Sequence, residues 1–124
     1  MKDRTVLHIE DNEYNRKIVR QLLSRTPFRL LEAVDGEEGL RVAQRELPDL
    51  ILMDVQLPKL SGLDATRLLR ADPRTAQIPL VVVTSFALSG DDRRAIDAGA
   101  SAYLAKPYSP RDLMALINRF LPEN

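Results

Sequence analysis

Asp49-Leu50-Ile51-Leu52-Met53-Asp54 sets four apolar residues between two carboxylates, and Val55-Gln56-Leu57-Pro58 follows directly. An apolar run of this length, without polar alternation, suits a strand covered on both faces, as the strands of parallel sheets are. Such a strand delivers Asp54 to the carboxyl edge of its sheet, where open α/β sheets bind their ligands. A second run, Thr5-Val6-Leu7-His8-Ile9, ends on Glu10-Asp11. With the two strands as neighbours, Glu10, Asp11 and Asp54 converge at one rim.

Outward from these strands, apolar runs alternate with segments of helical period, the pattern of a parallel sheet flanked by helices on both faces. The spacing predicts strands at Thr5–Glu10, Arg29–Val34, Asp49–Asp54, Leu80–Thr84 and Ala102–Lys106. It predicts a first helix from about Asn12 to Arg25, capped by Asn12 and striped by Ile18, Val19, Leu22 and Leu23. The last helix begins at Ser109-Pro110, with Asp112 three residues past the cap and Leu113, Leu116, Ile117 and Phe120 turned inward. Between them, Leu40 with Ala43, Leu63 with Leu68, and Ala95 with Ile96 mark helices near Glu37–Glu46, Gly62–Arg70 and Asp91–Ala98. Gly99 reads as a left-handed helix stop.

The 124 residues are expected to form one domain, 1–124, large enough to bury a core, with no output domain. Eighteen basic and eighteen acidic residues cancel, which argues against binding driven by charge to nucleic acid or to a membrane. The lack of cysteine removes disulfides, thiolate nucleophiles and thiolate metal sites. Met1-Lys2-Asp3-Arg4 leads straight into the first strand, with no apolar segment of signal-peptide or membrane-spanning length, so a cytoplasmic location is expected.

The other strand ends add a hydroxyl and an ammonium to the acids: Leu80-Val81-Val82-Val83 ends on Thr84, and Ala102-Tyr103-Leu104-Ala105 ends on Lys106-Pro107. Clustered carboxylates repel one another, and a hard divalent cation such as Mg²⁺ relieves that repulsion with oxygen ligands while keeping several waters. With a cation and a lysine neutralising a phosphoryl group, an aspartate can act as nucleophile and carry it as an acyl phosphate. Thr84 is placed to hydrogen-bond the new oxygens.

The ordered set Glu10-Asp11, Asp54, Thr84, Tyr103 and Lys106-Pro107, with Asp54-Val55-Gln56-Leu57-Pro58 and Gly62, closely resembles the receiver domain of two-component response regulators. The resemblance spans essentially the whole chain. It implies a doubly wound, flavodoxin-like sheet of order 2-1-3-4-5 with five helices, an order for which receivers are a worked example of the general rule. It also implies that Asp54 accepts a phosphoryl group from a sensor histidine kinase or a histidine phosphotransfer protein. Asp11, Asp54 and the backbone carbonyl of Gln56 would ligate Mg²⁺, Glu10 would act mainly through a coordinated water, Lys106 would pair with the phosphoryl oxygens, and the Lys106-Pro107 bond would be cis. Phosphorylation would draw Thr84 inward, Tyr103 would fill the vacated space, and the face of the fourth helix, fifth strand and fifth helix would change its affinity for partners.

Considered singly, each residue has a plainer role: Asp54 or Asp11 as a turn or cap, Thr84 as a β-branched strand end, Lys106 as a surface lysine, Tyr103 as a half-buried aromatic. Together at successive strand ends they favour the site. His8 lies inside its strand and reads as packing, and Asp91-Asp92-Arg93-Arg94 as a solvated helix start. Ser85 stands where alanine or glycine is usual in the family. Phe86 is bulkier than many residues at its place, and with Gln56 it would flank the phosphoryl group, shield it from water and lengthen its life. Tyr14, Asn15 and Ile18, beside the acid pair, are candidates for contacting the phosphoryl donor.

The chain most resembles stand-alone receivers, which shuttle phosphoryl groups in relays or regulate kinases by direct binding; a homodimer through the switch face is compatible with it. Other classes fit less well. A phosphatase of the haloacid dehalogenase type wants a second aspartate two residues past the nucleophile, where Gln56 stands, and wants both on its first strand. A nucleotide or flavin binder needs a glycine-rich or hydroxyl-rich loop after strand one, whereas Glu10-Asp11-Asn12-Glu13 repels phosphate unless a metal intervenes. A protein-interaction module independent of phosphorylation, on the same fold, is the remaining alternative.

Overall fold

A computed structural model describes residues 3–85 and 90–122. Five strands and five helices alternate: β1 (Thr5–Ile9), α1 (Glu13–Leu23), β2 (Arg29–Ala33), α2 (Gly36–Glu46), β3 (Leu50–Asp54), α3 (Gly62–Ala71), β4 (Leu80–Thr84), α4 (Asp91–Ala98), β5 (Ala102–Ala105) and α5 (Pro110–Phe120). All strand pairs are parallel and the order is β2-β1-β3-β4-β5. The doubly wound fold expected from the alternation is the fold observed, and β1 and β3 are neighbours, with Ile9 opposite Met53.

The central strands β1, β3 and β4 are buried at every position, which explains their unbroken apolar runs. Leu7, Ile9, Ile51, Met53, Leu80 and Val82 face one layer, where Val42, Ala43, Ala65, Leu69 and Ala95 of α2, α3 and α4 cover them. Val6, Leu50, Leu52 and Val81 face the other, under Val19, Leu23, Leu113 and Ile117 of α1 and α5. Alternate residues of each strand therefore belong to opposite layers. Asp54 shares the parity of Leu50 and Leu52, and Thr84 that of Leu80 and Val82.

Of the pairs that marked the third and fourth helices, Leu63 and Ala95 pack inward and their companions do not. Leu68 and Ile96 are exposed, and the inward residues are Ala65, Thr66 and Leu69 on α3, with Ala95 and Ala98 on α4. Thr66 hides the phase of α3 because its hydroxyl is satisfied inside the helix, donating to the Gly62 carbonyl at 2.7 Å. In α4 the packing residues are small, so the one large apolar side chain pointed to the wrong face. Glu10 and Lys106 fall one residue beyond β1 and β5, although their amides still donate across the sheet to Ala33 and Thr84 at 3.0 and 2.7 Å.

Four helices start on a side chain that accepts a backbone amide: Asn12 from Asn15, Asp35 from Glu38, Ser61 from Asp64 and Ser109 from Asp112, the last with a reciprocal bond that completes a capping box. The fifth, α4, starts on Gly90 without such a bond. Its other end is held. Gly99 closes it at φ +110, its amide donating to Ala95 and Ile96, and the Arg70 guanidinium donates to the Gly99 carbonyl at 2.8 Å and to the Ile78 carbonyl at 2.7 Å.

Candidate functional site

The first acidic turn is built by α1. Asn12 caps the helix, and the chain between β1 and the cap carries Glu10 and Asp11 over the carboxyl edge of the sheet. The third strand places Asp54 beside them, and single oxygen atoms of Glu10, Asp11 and Asp54 lie within 4.8 Å of one another. Glu10 and Asp54 are buried and Asp11 is exposed, so the cluster opens to solvent on one side.

Gly62 explains how the loop after β3 stays out of the way. Its amide donates to the Val55 carbonyl at 2.9 Å, and a Cβ at this position would stand 2.0 Å from the Asp54 carbonyl oxygen. Only glycine lets α3 begin this close to the strand that carries the acid. The Gln56 amide donates to Asp54 Oδ1 at 3.1 Å, fixing one carboxylate oxygen from the backbone.

Lys106 supplies the counter-charge. Its Nζ donates to Asp54 Oδ2 at 2.7 Å and to Glu10 Oε1 at 3.1 Å, bridging the two buried acids. Burial works against the ammonium, but its bonds to Asp54 and then to Glu10 outweigh it and hold the pKa above the ordinary lysine value. Burial, followed by the adjoining Asp54 carboxyl, pushes Glu10 up to about 7 despite the lysine. The site is thus short of positive charge: one ammonium faces three carboxyl groups. Hard oxygen donors in that arrangement suit a divalent cation of the Mg²⁺ type.

Thr84 ends β4 fully buried, and the Lys106-Pro107 bond is cis. Tyr103 is 41% exposed, so its ring stands on the outer side of β5. Ser85 is exposed and, with Asn15, Ile18, Lys106, Pro107 and Tyr108, lines a groove of about 420 Å³ beside the acids. Tyr14 is 72% exposed at the start of α1, and Ile18 is half-buried. Asn15, expected to face a partner, also serves the site itself, because its Nδ2 donates to Glu10 Oε1 at 3.1 Å. Phe86 lies outside the described residues.

One residue of the site went unread in the sequence. Arg16 is buried, and its Nη1 donates to the Glu10 carbonyl at 2.7 Å. The available signal was its phase: Arg16, Val19 and Leu23 repeat at three and four residues, which puts a cation on the inward face of α1. His8, by contrast, is buried in the strand as expected. Burial pushes its pKa down to about 4, and its Nδ1 has no hydrogen-bond partner among the described residues. Among the described residues no helix is long and apolar enough to cross a membrane.

Comparison with known proteins bears on the fold and the family. The family model for the response regulator receiver domain matches residues 6–118. The polar-differentiation response regulator DivK of Brucella anthropi is 39% identical over 118 residues, covering 95% of this chain and 96% of that protein, and DivK of Brucella ovis matches equally. The receiver domain of the Pseudomonas aeruginosa sensor histidine kinase PA1611, solved with a magnesium ion in its active-site cleft, superimposes with a TM-score of 0.90 at 34% identity over 98% of this chain and all of that one. Vibrio cholerae CheY4, a chemotaxis response regulator, gives 0.89 at 25% identity over 96% of this chain and 99% of its own. With its fold, its acid pair and its strand-end lysine accounted for, the chain belongs to the response regulator receiver domain family.

Proposed function

We propose that Asp54 is the phosphoacceptor of a stand-alone receiver, modified by a sensor histidine kinase or a histidine phosphotransfer protein with Mg²⁺ as cofactor. The contact of Lys106 Nζ with Asp54 Oδ2 at 2.7 Å, beside the Glu10 and Asp11 carboxylates, carries this reading. An Asp54 oxygen attacks phosphorus, the new O–P bond forms as the N–P bond of phosphohistidine breaks, and the donor nitrogen leaves with its electron pair. Lys106 is free to follow the charge as it moves from the carboxylate to the phosphoryl oxygens, and the Gln56 amide holds the other Asp54 oxygen. Asp11, Asp54 and the Gln56 carbonyl would hold Mg²⁺, with Glu10 acting through water. When bound, Mg²⁺ supplies the positive charge that neutralises phosphoryl oxygens in transit.

The switch follows from Thr84 and Tyr103. Phosphoryl oxygens offer acceptors to the Thr84 hydroxyl, and inward rotation of the exposed Tyr103 ring changes the surface of α4, β5 and α5. This surface signals to a downstream protein, or the phosphoryl group passes on in a relay; self-association through it is a further mode. The protein acts in the cytoplasm by protein contacts, with neither nucleic acid nor membrane as partner, and is a phosphoacceptor rather than an enzyme acting on a separate substrate.

The test is intact-mass detection after incubation with a small-molecule phosphodonor, comparing wild type, Asp54→Asn and a metal-stripped sample. Modification that requires both Asp54 and Mg²⁺ is expected. A wild-type protein that also stays unmodified with histidine kinase or phosphotransfer donors would instead be an interaction module independent of phosphorylation.

A further inference from the structure

We propose that Arg16 is a positioning residue for the Mg²⁺ and phosphoryl site, acting through the peptide that joins Glu10 to Asp11; the inference rests on the reading of the Asp54 site given above. Arg16 lies in the first turns of α1, its amide donating to the Asn12 carbonyl at 3.0 Å, and only 9% of it is exposed. Burying a guanidinium is costly, and an apolar side chain in phase with Val19 and Leu23 would pack there without that cost. The charge is not spent on a buried acid. Nη2 pairs with Glu13 Oε2 at 2.5 Å, whose side chain is 65% exposed, while Nη1 donates to the Glu10 carbonyl at 2.7 Å.

That carbonyl belongs to the peptide plane from which Asp11 departs. Glu10 has further holds on its side chain, since Lys106 and Asn15 both donate to Oε1. Asp11 has none: no side-chain hydrogen bond or ion pair holds its carboxylate among the described residues. Its direction is therefore set by its main chain, and Arg16 is the side chain that fixes the preceding peptide. Partners that orient metal ligands in this way commonly account for a ten- to hundredfold share of metal affinity.

Three variants and two readouts test this. Arg16→Met keeps most of the volume and removes the donors, Arg16→Lys keeps the charge with a single reach, and Glu13→Gln loosens the exposed end of the clamp. Mg²⁺ dissociation constants, measured by titration calorimetry well below each Tm, are expected to weaken about tenfold in Arg16→Met, less in Arg16→Lys and about threefold in Glu13→Gln. In the metal-free protein, amide chemical-shift changes in Arg16→Met are expected to concentrate at Asp11 and Asn12. A folded Arg16→Met that binds Mg²⁺ within twofold of wild type overturns the inference. If that variant does not fold, unchanged affinity in Glu13→Gln overturns it instead. Wild type that binds no Mg²⁺ removes the reading of the Asp54 site, and this inference with it, a result distinct from wild-type binding that the variants fail to weaken.

Discussion

Lys106 reaches Asp54 across the end of the intervening strand β4: Nζ donates to Oδ2 at 2.7 Å, and the same ammonium donates to Glu10 Oε1 at 3.1 Å. A single cation thus connects the Asp54 carboxylate to the acid loop. Lys106→Ala is expected to slow phosphorylation of Asp54 by a small-molecule donor about a hundredfold at saturating Mg²⁺, the usual effect of deleting one donor aimed at developing charge. Initial rates by intact mass decide it. A slowing of less than threefold would show that Lys106 serves the resting acids only.

Glu10 titrates near pH 7 in the metal-free site, chiefly because it is buried and secondarily because Asp54 adjoins it. A proton held there competes with a divalent cation. Mg²⁺ affinity is therefore expected to be flat above about pH 7.5 and to fall towards tenfold per pH unit below about pH 6.5. The same raised pKa stabilises the metal-free fold below the unfolded value of 4.5, and that contribution is lost as pH rises through 7. Calorimetric titrations at pH 6 and 8 test the first statement; equal affinities would count against a proton on Glu10.

His8 shifts stability the opposite way. Its pKa drops from 6.5 to about 4 on burial, so the unfolded chain takes up the proton first as pH falls. The stabilisation is complete above 6.5 and declines as pH drops towards 4, by roughly 2 kcal/mol at pH 5. His8→Leu is expected to remove this dependence. The comparison is the change in unfolding free energy between pH 7 and pH 5, from urea titrations of both proteins, and an identical change in the two would sink the assignment.

Gly62→Ala tests the close approach of α3 to β3. The added methyl would meet the Asp54 carbonyl oxygen at 2.0 Å and Val55 Cα at 2.9 Å, both backbone, so neither can rotate aside. A loss of about 3 kcal/mol is expected from forced overpacking. That corresponds to a Tm lower by roughly 10 °C in a domain of this size. Thermal unfolding within 2 °C of wild type would mean that the loop after Asp54 yields freely.

Most of the fold was legible because the central strands are buried on both faces and so read as unbroken apolar runs. Their ends were equally plain: Glu10-Asp11, Asp54 and Lys106 are charged residues directly after apolar ones, and the sheet order brings three of these ends together. What escaped was side-chain phase. Thr66 and the alanines of α4 bury without looking apolar or large, so Leu68 and Ile96 drew attention to the wrong faces. Arg16 escaped for a related reason: a cation on an inward face reads as an interruption of the stripe until the carbonyl it serves is seen. Asn15 looked like a surface residue because its bond to Glu10 depends on the entry angle of α1, which no local pattern encodes.

The unequal ends of α4 have a mechanical consequence. Side-chain caps lock the first turns of the other helices, each cap being worth about 1 kcal/mol, whereas α4 leaves Gly90 without one and is riveted at Gly99 by the Arg70 guanidinium. A rod pinned at one end and lacking a side-chain cap at the other is expected to move most easily by a swing about the pin. Amide exchange is accordingly expected to be faster in the first turn of α4 than in the first turns of α1, α2, α3 and α5, and uniform rates would refute it. The sheet then works as a fixed bench, with a helix mounted on it by its far end.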